Sequence, residues 1–129
     1  MLRAGDTFLL PKPNATEHLW VVLTEPTESG EAVCVNITTQ HSFSDQTVIL
    51  QPGDHPFIKH PSVVHYEDAR EMNLQMVYAL LKQGSDKFVC VAHDPCSVDL
   101  LRCVRDGLLR SKRTPNGLKQ RCKALWETR

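Results

Sequence analysis

His18-Leu19-Trp20-Val21-Val22-Leu23-Thr24, then Glu25-Pro26-Thr27-Glu28-Ser29-Gly30, then Ala32-Val33-Cys34-Val35-Asn36-Ile37-Thr38 is the stretch that decides the fold. Two runs rich in Val, Ile and Trp flank a block of turn formers, the composition of two strands joined by a loop. Working outward, Thr7 to Leu10, Thr47 to Leu50 and Ser62 to Tyr66 have the same character, and Pro11-Lys12-Pro13-Asn14 and Gln51-Pro52-Gly53-Asp54 separate them. Short strands at this spacing predict an antiparallel sheet or small barrel.

Beyond Tyr66 the pattern changes. In Glu67 to Lys82 the residues Leu74, Val77, Tyr78 and Leu81 fit helical spacing, while Ala69-Arg70-Glu71-Met72 would serve as a final barrel strand; both readings stay open. Phe88 to Ala92 reads as one more buried strand. A helix is expected to start at Ser97, whose hydroxyl can cap it, with Asp99 favourably placed in the first turn. Its stripe comprises Val98, Leu101, Val104 and Leu108 with Leu100, Cys103 and Gly107, and it ends near Leu109. Thr114-Pro115 is a helix-entry pair, and Leu118, Cys122 and Leu125 make the second helix amphipathic. The expectation is one α+β domain over 1–129, with a barrel portion over 1–92 and C-terminal helices over 93–129 packed on it.

A chain of 129 residues is long enough to bury a core without metals or disulfides. Fifteen basic side chains balance fifteen acidic ones, so any affinity for a polyanion must come from local clustering. One cluster exists, in Arg102, Arg105, Arg110, Lys112, Arg113, Lys119, Arg121 and Lys123, and a solvated helical face is the better reading of it. No apolar run approaches the roughly 18–20 residues of a membrane span, and the start Met-Leu-Arg-Ala-Gly-Asp lacks a signal-peptide core, so no membrane partner and a cytoplasmic location are expected. Five cysteines without a Cys-x-x-Cys pair indicate reduced, mostly buried thiols.

Three constellations could carry chemistry. The first is Gly53 to Tyr66, where His55, His60 and His65 recur every five residues; that spacing matches neither a helix face nor a strand face and speaks against one shared metal ion. His55 and His60 read equally as loop residues bonding backbone carbonyls, with His65 on a strand. The second, His93-Asp94-Pro95-Cys96, places a thiol, a base and an acid close in sequence, which proves little because adjacent side chains point apart. The third spans two strands: His18 with Trp20, and Thr38 with Thr39 and Gln40.

The third set gains weight from a resemblance. Gly5-Asp6-Thr7-Phe8-Leu9-Leu10, His18-Leu19-Trp20-Val21-Val22-Leu23-Thr24 and Val35-Asn36-Ile37-Thr38-Thr39-Gln40 resemble the PemK/MazF-like family of toxin endoribonucleases, with Ser62 to Arg70 as a weaker match. The resemblance covers Gly5 to Arg70, about half the chain. It implies an SH3-like barrel, a homodimer, and cleavage of single-stranded RNA without a metal or other cofactor, restrained by an antitoxin protein. The family's catalytic threonine maps onto Thr38, with Thr39 as the alternative register, and its arginine onto His18. Trp20, Thr39, Gln40, His55 and His60 become the substrate-binding candidates. Histidine can act as a base or steady a phosphate but lacks arginine's permanent charge and two-pronged grip. A barrel without catalysis, serving as a protein- or nucleic-acid-binding module, is the alternative.

Overall fold

The computed structural model describes residues 2–10, 18–83 and 91–127. Among these, β1 (Thr7–Leu10), β2 (His18–Val22), β3 (Glu31–Thr39), β4 (Ile49–Leu50), β5 (Ser62–Asn73) and β6 (Val91–His93) form one antiparallel sheet, ordered β4-β5-β3-β2-β1-β6. Three helices complete the α+β chain: α1 (Leu74–Gln83), α2 (Val98–Arg110) and α3 (Asn116–Glu127). The expected antiparallel sheet is present, curled into a half-barrel rather than closed into a barrel. The turn expected at 11–14 and the first residues of the strand expected at 88–92 lie outside the described residues.

Why the central strands form is visible in how β2 and β3 use the two-residue period. Leu19, Val21 and Leu23 with Val33, Val35 and Ile37 point to one side, where they meet Leu100, Val104, Leu108 and Cys122 of the C-terminal helices. Trp20, Val22, Ala32 and Cys34 point to the other, where they meet Phe8 and Leu74 and Val77 of α1. A strand apolar on both sides belongs in the middle of a covered sheet, which is where these two lie.

The open question at Glu67 to Lys82 resolves into both readings in succession. β5 continues along β3 until Asn73 pairs with Glu31, and there the Asn73 Oδ1 accepts from the backbone N–H groups of Gln75 (3.0 Å) and Met76 (3.2 Å), capping α1. Between the Cys34–Arg70 and Asn36–His65 pairs the register shifts, a bulge that bends the long strand.

The two ends of the sheet are drawn together by side chains. His55, in the loop after β4, donates from Nε2 to the Asp94 carbonyl at 2.6 Å, and Thr7 Oγ1 donates to the same oxygen at 2.6 Å. His93 of β6 sets its ring 5.1 Å from that of His55, tilted by 50°, and meets Phe57 edge-on at 5.8 Å.

The C-terminal helices start where expected: Ser97 Oγ accepts from Leu100 N at 3.1 Å and Asp99 occupies the first turn. Their stripes are narrower than the sequence predicts. Leu100, Val104, Gly107 and Leu108 are buried, whereas Val98 is 73% exposed and Cys103 is exposed, so the buried face draws on both expected stripes and leaves a member of each in solvent. On α3 Cys122 is buried and Leu125 is exposed, with Trp126 taking its place against the core. Thr114 does not cap α3 through its side chain; its hydroxyl donates to the Leu108 carbonyl at 2.8 Å and ties the turn back onto α2. No helix among the described residues is long and apolar enough to cross a membrane.

Candidate functional site

The start of β2, the end of β3 and the start of β5 meet at one edge of the half-barrel. The pairs Leu19–Ile37 and Thr39–Ser62 set that meeting. Continuing the first register by one residue carries His18 alongside Thr38, and both are half-buried there. His18 Nδ1 lies 3.5 Å from the Ile37 carbonyl oxygen. A carbonyl only accepts, so in the tautomer that makes this contact a hydrogen bond the ring hydrogen sits on Nδ1 and Nε2 keeps its lone pair.

A depression of about 310 Å³ opens at this edge, lined by His18, Thr38, Thr39 and Ser62 from the strands and by Phe57, Lys59 and His60 from the loop before β5. Thr39 and His60 also border an adjoining depression of about 410 Å³, whose other walls include Gln40, His41 and Gln46. No acidic side chain stands among the described residues lining either depression. In a chain of zero formal net charge, that is a local departure suited to an anion.

The outer wall is held by the C-terminal helices. Asp45, in the loop between β3 and β4, accepts through Oδ1 from the Thr47 N–H at 2.9 Å and Oγ1 at 2.5 Å, and through Oδ2 from the hydroxyl of Ser111, the residue capping the end of α2. Burial pushes the Asp45 carboxyl up, but the bonds from Ser111 and Thr47 with the Arg113 charge outweigh it and hold it below the usual carboxylate range. Arg113 Nη1 donates to the Phe43 carbonyl at 2.9 Å. The Phe43 ring itself stands 83% exposed on the same loop.

Of the residues singled out in the sequence, His18, Thr38, Thr39, Gln40 and His60 therefore gather around these adjoining depressions. Trp20 and His55 do not line them. Trp20 is 3% exposed and packed on the α1 side, with the Arg70 guanidinium 5.6 Å from its ring centre. His55 is 2% exposed, and while Nε2 donates to Asp94, Nδ1 accepts from Phe57 N at 3.1 Å. Both of its nitrogens hold the loop in place, the backbone-bonding role weighed for it from sequence. His65 pairs with Glu67 at 2.8 Å. The three histidines of this stretch thus go to three places, and no group of three or more metal-ligating side chains comes together among the described residues.

The thiol constellation is also dispersed. Burial pushes the Cys96 thiol up to about 11, away from the thiolate a nucleophile needs, and His93 Nδ1 accepts from Asp94 N at 2.8 Å. Much of the basic cluster is engaged within the fold. Arg105 Nε donates to the Leu23 carbonyl (2.7 Å), Arg110 pairs with Asp106 (2.8 Å), Lys119 Nζ donates to the Ser111 carbonyl (2.6 Å), and Arg121 pairs with Glu71.

Lys59, Phe57 and His41 line the depressions without having been singled out as site residues. The signal for Lys59 was its place between Ile58 and His60 in the ligand-rich stretch, but only the folded loop shows that it faces the same space as His18. No protein-family model, curated protein or solved structure matches the chain.

Proposed function

We propose that the chain is a PemK/MazF-like endoribonuclease on an SH3-like half-barrel, cleaving single-stranded RNA through the 2′-hydroxyl without a metal. One observation carries the reading: His18 and Thr38, picked from separate strands by the resemblance, line one depression with Lys59 and no acidic neighbour among the described lining residues. Cleavage at a 2′-hydroxyl needs a base near that oxygen and groups that steady the phosphate, and the Nε2 lone pair of His18 with Thr38 and Lys59 supplies them. Phe43 offers an exposed ring on the adjoining loop for stacking an unpaired base. The same reading implies a homodimer and a restraining antitoxin protein.

The test is incubation of purified protein with single-stranded RNA in the presence of a chelator, beside His18→Ala and Thr38→Ala variants. Fragments from the wild type that either substitution abolishes support the reading. RNA that is bound but left intact moves the function to a nucleic-acid-binding module on the same fold.

A further inference from the structure

We propose that His60 is the second proton-transfer group of this site, working opposite His18, and that Lys59 carries the charge developing on the phosphate; this deepens the ribonuclease reading and rests on it. A base alone completes half of the reaction. When O2′ attacks phosphorus, the P–O5′ bond must break, and an alkoxide is a poor leaving group unless a proton reaches it.

The geometry points to a division of labour. His18 enters from β2 with its Nδ1 turned to the Ile37 carbonyl at 3.5 Å, and in the tautomer that bonds this carbonyl Nε2 is the nitrogen with a lone pair to offer. His60 enters from the loop that precedes β5, and it borders both depressions, placing it where a strand running from one into the other would pass. Its backbone is well held: Ser62 Oγ donates to its carbonyl at 2.8 Å, and Gln40 N donates to the Pro61 carbonyl at 3.1 Å, fastening the loop to the end of β3. Its exposed imidazole has no hydrogen-bond partner among the described residues, which leaves both nitrogens for a ligand. Lys59 lines the same depression as a compact positive charge.

In the step that follows, His18 Nε2 takes the 2′-hydroxyl proton as O2′ bonds to phosphorus. The P–O5′ bonding pair leaves on O5′, which receives a proton from the imidazolium of His60. Lys59 faces the non-bridging oxygens, whose charge rises in the transition state. The products are a 2′,3′-cyclic phosphate and a 5′-hydroxyl, with His18 protonated, His60 neutral, and both reset by exchange with water.

The decisive experiment compares two substrates at the mapped cleavage position, the ordinary RNA and the same RNA with sulfur in place of O5′. A thiolate departs without being protonated. His60→Gln is expected to slow cleavage of the oxygen substrate about 100-fold or more, with KM little changed, and to cut the sulfur substrate at close to the wild-type rate. His18→Gln is expected to lose activity on both, and Lys59→Ala to be impaired on both. Wild-type melting of His60→Gln separates chemistry from folding. Equal impairment of His60→Gln on both substrates, or impairment on neither, overturns the role of His60 while the ribonuclease reading stands. Wild-type protein that cuts no RNA overturns both.

Discussion

Replacing Gly107 with alanine is expected to destabilise the protein, although the same change in a free helix would stabilise it. A Cβ at Gly107 would stand 2.1 Å from Tyr66 Oη, 2.4 Å from Val48 Cγ2 and 2.9 Å from Tyr66 Cζ. Tyr66 is fully buried and its hydroxyl donates to the Val104 carbonyl at 2.8 Å, so the ring has no room to withdraw. Alanine in a helix gains about 0.8–1 kcal/mol over glycine. Overpacking a tight contact costs about 1–3 kcal/mol, and prying a buried hydroxyl from its acceptor costs about 1–3 kcal/mol more. The balance is a loss of about 3 kcal/mol, which for a chain of this size lowers the melting temperature by roughly 10 °C. Urea unfolding followed by Trp fluorescence and by helical circular dichroism measures it. A Tyr66→Phe background removes the atom at 2.1 Å but keeps the contacts with Cζ and Val48, so the penalty there should shrink by about 1 kcal/mol or more without vanishing. An alanine variant as stable as the wild type, or penalties that simply add in the double variant, would refute the close packing of α2 on the sheet.

Asp45→Asn is expected to cost about 1–3 kcal/mol at neutral pH, because it weakens the acceptor shared by Thr47 and Ser111. Since the folded-state carboxyl is held low, its contribution is fully present above the ordinary value of 3.8 and is lost as pH falls through the lower folded value. The stability gap between wild type and variant should therefore be constant near neutrality and close only in strong acid; a gap that closes between pH 7 and 5 would contradict the assignment. Phe43→Ala should leave melting unchanged, as the ring is 83% exposed, and weaken single-stranded RNA binding by about 1–3 kcal/mol, read by fluorescence anisotropy; equal affinity would remove Phe43 from the interface. His18→Ala and Thr38→Ala should each abolish RNA fragmentation while retaining the wild-type fold, checked by gel analysis beside circular dichroism.

How much was legible in the sequence follows the range of the interactions that decide each feature. Strands at Thr7–Leu10 and His18–Val22, the cap at Ser97 and the body of α2 could be read directly, because apolar period, turn residues and capping chemistry act over a few neighbouring residues. Glu67 to Lys82 was undecided by the same logic: its apolar residues satisfy both periods, and only pairing of β5 with β3 out to Glu31–Asn73 sets where strand gives way to helix. Which members of the α2 stripes are buried was decided only by the sheet, which covers Leu100, Val104 and Leu108 and leaves Val98 in solvent.

For the site, the sequence and the resemblance it carries nominated His18, Thr38 and His60 as side chains of suitable chemistry, yet could not distinguish them from Trp20 and His55, which are packed and bonded inside the fold. Neighbouring positions in a strand or loop differ only in direction, and direction depends on register and on the curl of the sheet. Both are fixed by backbone ladders and core contacts between segments far apart in the chain. That is why Lys59 and His60, about forty residues from His18, share its depression, while His55, five residues before His60, bonds the Asp94 carbonyl instead.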